Sequence, residues 1–266
     1  MLEVLLGVKG VMDMLKAEKN DKQADKINVK AFEKMATAEE RKNEQEILTR
    51  KSLEKLANRK KGILITSMND FINTYEKIMK IDFKESDGIK ELNWTSMLPE
   101  LIQDIRSMTA IAGMTMTDKQ AIAAFVVGGI TGFIKKESEL NLTAASMRRK
   151  QANVVESQVE TICLALDAIK KRADKISELL AKLNLLFRKS IETTENIITK
   201  RGNNRASYTR EDKEQIMTCI NFATAIKKIL DTKLIDETGE ITQQSIEAIK
   251  IGEEYLSKIN SVISNR

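Results

Sequence analysis

The sequence contains no histidine, and that single absence removes whole classes of chemistry. A Ser-His-Asp or Cys-His arrangement cannot be built, nor can a zinc site with imidazole ligands. Cysteine is nearly as scarce. Cys163 and Cys219 are too few for a four-thiolate site, and both fall on apolar stripes, where a buried free thiol is expected. There is one proline, Pro99, and aromatic residues make up 4% of the chain. Sheets favour aromatic and β-branched residues with frequent turn punctuation, whereas long helices need neither. The scarcity of both therefore points to helices.

No Walker loop, dinucleotide fingerprint, kinase signature or paired-cysteine motif occurs. The reading is a non-enzyme without cofactor or metal. Asp231, Asp236, Glu237 and Glu240 cluster, but without the spacing of a calcium-binding loop, so they are assigned to turns and caps. Charge is abundant but balanced. The 44 basic and 39 acidic residues leave a net charge of +5, and they interleave as on solvated helix faces. Two short basic clusters, Arg59-Lys60-Lys61 and Arg148-Arg149-Lys150, come with no recognition motif, so no nucleic-acid partner is expected. The opening residues lack a basic leader and a cleavage site, which predicts a cytoplasmic chain, at most peripheral to a membrane.

What is present is helical periodicity. Residues 2–15 read as a short amphipathic helix and residues 24–79 as one long helix. The latter carries an apolar face of Leu53, Ala57, Leu64, Met68, Phe71, Tyr75 and Ile78, with Gly62 as its weak point. A break follows at 82–93. Pro99 suits the first turn of a helix capped by Ser96 and ending near Gly113. Thr117 and Gln120 form a capping-box pattern ahead of the apolar segment 121–134. The strongest pattern runs through Ala152, Val155, Val159, Ile162, Leu166, Ile169, Ala173, Ile176, Leu180, Leu183, Phe187, Ile191, Thr194 and Ile198. After the first step its spacing alternates four and three, the heptad seam of a coiled-coil-like helix. That helix is predicted to end around Arg201-Gly202-Asn203-Asn204, and helices follow at 209–230, capped by Thr209-Arg210-Glu211-Asp212, and about 243–263. One short β-hairpin is allowed near 233–242, with Leu234-Ile235-Asp236 facing Glu240-Ile241-Thr242.

Together these predict an all-α, elongated bundle with the two long helices antiparallel. Residues 1–202 would hold the bundle, with an apolar helical hairpin at 96–135. Residues 203–266 would form a small helical region packed on it. At 14 residues, the segment 121–134 is shorter than the roughly 20 needed to cross a bilayer. Phe125, Val126, Val127, Gly128, Gly129 and Phe133 are nominated as a membrane or partner contact, against the simpler reading of an inner helix of the bundle. Met97, Met108, Met114 and Met116 are read as core filler rather than an adaptable binding surface.

Arg172-Ala173-Asp174, Glu178-Leu179-Leu180 and Lys182-Leu183-Asn184 carry a resemblance. So do Tyr208 with Glu211-Asp212-Lys213-Glu214, and Ile229-Leu230-Asp231-Thr232 with Leu234-Ile235-Asp236 and Gly239. In these residues the chain resembles a poorly characterised bacterial family of helical coiled-coil proteins, sometimes labelled chemotaxis-protein-like. The resemblance covers about residues 165–245. It implies two long helices separated by a glycine- and alanine-rich apolar segment, which is shortened here to about 108–134, and it implies no established activity. The expected function is a non-catalytic scaffold or interaction protein that engages a protein partner or itself through helix surfaces. The alternative is a membrane-active, pore-forming-like protein that uses 108–134.

Overall fold

A computed structural model describes residues 21–81, 83, 94–127, 156–236 and 239–264. Among these residues 87% are helical and no strand occurs, so the chain is all-α. Helix α1 spans Asp21–Ile63 and passes through a π-helical turn, Leu64–Met68, into α2 at Asn69–Ile78. Helix α3 spans Trp94–Gly113. Helix α4, Asp118–Ile122, runs into a second π-turn at Ala123–Val127. The second long helix, α5, spans Glu156–Arg201, and α6 (Arg210–Leu230) and α7 (Gln243–Ser264) complete the order. The 2–15 helix, the 82–93 turn residues Asp87-Gly88, and Ala152 and Val155 of the seam lie outside the described residues.

The heptad seam is the axis of the fold. From Ile169 through Ala173, Ile176, Leu180, Leu183, Phe187, Ile191 and Thr194 to Ile198, every seam residue is buried. The apolar face of α1 and α2 meets it, with the Phe71 and Phe187 rings 5.7 Å apart. The sequence expected one uninterrupted helix here. The helical path is indeed continuous, but it widens two residues after Gly62, where the Thr66 hydroxyl donates to the Gly62 carbonyl at 2.7 Å. A π-turn shifts the register of all that follows and commonly marks a packing or functional constraint.

The direction of the long helices corrects the expected antiparallel arrangement. Thr49 donates to the Leu166 carbonyl at 3.1 Å, Ser52 to Asp174 at 3.2 Å and Thr74 to Glu195 at 2.7 Å. Partner numbers climb together, so α1–α2 and α5 are parallel. The antiparallel expectation assumed that the intervening segment reverses the chain once. Instead α3 runs back along α1–α2, with Arg106 on Glu76 at 2.6 Å and, just past its end, Lys61 donating to the Met114 carbonyl at 3.2 Å. The chain has therefore turned twice before α5 begins. Helix α6 then descends along α5, and α7 rises again, placing Arg172 beside Ser245 and Lys175 on Glu253 at 2.8 Å.

Local signals fare well at the helix ends. Thr117 and Gln120 form a reciprocal capping box, as do Thr209 and Asp212. Gly202, at φ 67°, ends α5, and its carbonyl accepts from the Tyr208 hydroxyl at 2.6 Å. Pro99 is a correction: α3 begins at Trp94, so the proline lies inside the helix. With little more than one turn ahead of it, the missing N–H forfeits a single helical bond. The β-hairpin near 233–242 is also corrected. It reduces to one antiparallel bridge between Ile235 and Ile241, closed by Gly239 at φ 87°. Leu234 turns its N–H to the Val126 carbonyl at 2.8 Å instead, so the ladder cannot lengthen.

A single cluster of buried apolar side chains runs from Leu56 on α1 through α3, α5 and α6 to Ala248 on α7.

Candidate functional site

The nominated apolar segment can be followed as far as Val127. Phe125 and Val126 are fully buried, and Val127 is partly buried against the same core. Gly128, Gly129 and Phe133 lie outside the described residues. The described part is an inner wall of the bundle, tied to the loop after α6 by the Val126 carbonyl. Among the methionines, Met108 is core, Met116 packs partly against it and Met114 is exposed.

Beside that wall lies a residue the sequence reading placed wrongly. Lys60, read as part of a surface basic cluster, is 1% exposed. Its ammonium donates to the Thr232 carbonyl at 2.7 Å, just past the end of α6, where the helix dipole leaves partial negative charge. Burial pushes the Lys60 amine down from 10.5 to about 7, and the nearby Asp231 carboxylate opposes that shift. Lys227 completes the group by pairing with Asp104 at 2.7 Å and with Asp231 at 3.9 Å. The signal was present in the sequence: Leu56, Lys60 and Leu64 recur at four-residue steps on the apolar face. Asp231 and Asp236 keep their turn and cap duties, the latter accepting from the Glu240 N–H at 3.0 Å. Among the described residues no group of acidic or thiol side chains could hold a metal ion.

The two thiols part company. Cys219 is buried, as expected, and burial pushes its thiol up to about 11 against the opposing Thr194 and Ser190 hydroxyls. Cys163 is only partly buried, because few of the described helices cover that end of α5.

Two surface features remain. The first is a groove of about 710 Å³ between α2 and α5, lined by three acidic and three basic side chains. Glu195 and Lys77 pair across it. Partial burial acts upward on the Glu195 carboxyl, but its bonds to Lys77 and Thr74 hold it below the usual carboxylate range. Asp70, Arg188, Lys189 and Glu192 also line the groove, and Leu185 at its edge is 71% exposed. The second feature is the end of the α1–α5 pair. Within a turn of the Thr49–Leu166 contact, Ile47 is 55% and Leu164 66% exposed, and Leu48 is exposed as well. Neither feature was nominated from the sequence, since exposure of an apolar residue outside the seam carries no periodic signal.

No protein-family model, curated protein or solved structure matches the chain.

Proposed function

We propose that the protein is a non-catalytic helical scaffold that engages another protein through its helix surfaces. The observation that carries this reading is the end of the parallel α1–α5 pair, which is thinly covered among the described residues. There the seam residues Val159, Ile162 and Leu166 are only partly buried, and Ile47, Leu48 and Leu164 stand exposed beside them. Two parallel helices with apolar flanks offer the groove into which an amphipathic helix of a partner packs its own apolar stripe.

The membrane reading has less support. Phe125 and Val126 are spent on the core, and no described helix is long and apolar enough to cross a membrane.

A photo-reactive amino acid placed at position 164 tests the reading in cells of the source organism, with position 210, exposed at the far end of α5–α6, as control. A discrete cross-linked protein at 164 and none at 210 is expected. The absence of any specific product at both 47 and 164 overturns it.

A further inference from the structure

The groove between α2 and α5 has a charge layout that points to its occupant. On α5 the bases Arg188 and Lys189 come first and the acid Glu192 follows. On α2 the order is reversed, with Asp70 first and Lys77 about two turns later. Asp70, Arg188, Lys189 and Glu192 are exposed and form no ion pair with any described residue. Arg188 and Glu192 could have paired along their own helix, four residues apart, but a base placed ahead of its acid is the weaker orientation.

Each helix is thus self-complementary about its own midpoint. A two-fold axis crossing α5 at Ser190 would set Arg188 against Glu192 of a second copy, and Glu192 against that copy's Arg188. A two-fold axis crossing α2 between Asn73 and Thr74 would set Asp70 against Lys77 in the same way. Phe71 packs on Phe187, while Thr74 and Lys77 both reach Glu195, so the parallel register of α2 and α5 puts the midpoint of α2 within about one turn of Ser190. One axis near Ser190 therefore sets Arg188 against Glu192 and brings Asp70 toward the second copy's Lys77, which also pairs with Glu195 of its own chain. A two-fold interface uses the same patch on both subunits, and a patch that complements itself under that operation is suited to a copy of itself. Leu185 contributes one exposed apolar side chain from each subunit.

We infer that the α2–α5 groove is a self-association face, on which a second copy of this chain docks antiparallel about a two-fold axis near Ser190. The inference rests on the reading of the chain as an assembly protein but uses a different face from the α1–α5 end. Leu164→Glu should therefore leave it intact, and the two readings can fail separately.

Sedimentation equilibrium of the purified full chain tests it at low and high salt, with circular dichroism to confirm that each variant is folded. Wild type is expected to form a dimer that weakens as salt rises, since the contacts are exposed charges. Arg188→Glu and Glu192→Arg should each weaken it about tenfold or more, because each reversal acts twice and sets like charges together. The double variant Arg188→Glu/Glu192→Arg should restore it. A wild type that stays monomeric to about 100 μM at low salt overturns the proposal. So does a dimer indifferent to both reversals, or one that the double exchange fails to restore.

Discussion

The middle of α5 and its first turns carry the same heptad pattern and meet different fates. Between Ile169 and Ile198 every seam residue is buried, because α1–α2, α6 and α7 all pack around that stretch. Toward the start of the helix, Val159, Ile162 and Leu166 are only partly covered, and Leu164 faces solvent. A heptad seam states that a helix packs along one line. How deeply each seam residue is buried depends on how many further helices close over that line, and this is set by elements far away in the chain. The well-covered middle is where the fold is stabilised. The thinly covered end is where apolar side chains stay exposed.

The largest test of this contrast is Phe187→Ala. Phe187 is fully buried and packs on Phe71 and Phe222, so its truncation should cost about 3–5 kcal/mol in urea denaturation. A cost under about 1 kcal/mol would mean that the middle is not the tightly packed region described.

Next comes Lys60, the one buried lysine among the described residues. Its folded pKa of about 7 lies below the ordinary 10.5, so between those values the unfolded chain binds more protons than the folded one. The penalty of burying its charge is fully present below pH 7 and is relieved as pH rises toward 10.5. Stability should climb with a slope of up to about 1.4 kcal/mol per pH unit in that window. Lys60→Met should flatten the climb. A variant whose stability follows the same pH course as wild type would show that the amine is not held as described.

Thr209→Ala removes one half of the capping box with Asp212 and should cost about 1 kcal/mol, measured as a shift in the denaturation midpoint. It lies at the tight α5–α6 turn, where local order and tertiary packing coincide. The smallest effect is expected for Leu164→Ala, below about 0.5 kcal/mol. A loss approaching that of Phe187→Ala would mean that Leu164 is covered in solution, and the contrast between the two regions would collapse.

Much of the fold was legible beforehand, for reasons that can be named. The seam from Ile169 to Ile198 was readable because helical periodicity depends only on residue spacing. The capping boxes at Thr117 and Thr209 and the glycine stop at Gly202 were readable because a helix end is closed by residues within a few positions of it. Pro99 misled because a proline is tolerated one turn deeper than its favoured place when few helical bonds precede it. Lys60 misled because two charged neighbours, Arg59 and Lys61, made it look like surface, although its four-residue spacing from Leu56 and Leu64 put it on the buried face. The candidate surfaces were not legible at all. The α2–α5 groove joins residues more than a hundred positions apart, and the exposure of Leu164 depends on which distant segments pack beside it.

The sequence by itself determined that the chain is helical, where most helices begin and end, and which line of α5 faces inward. All of these follow from interactions within a turn or two of the backbone. Only the tertiary structure decided that α1–α2 and α5 run parallel, that Lys60 reaches the end of α6, and that charges on α2 and α5 share a groove. Those outcomes depend on how often the chain turns between its long helices, and on which side chains distant segments bring together. Periodicity records which face of a helix is apolar, and it holds no information about the direction of the neighbour that covers it.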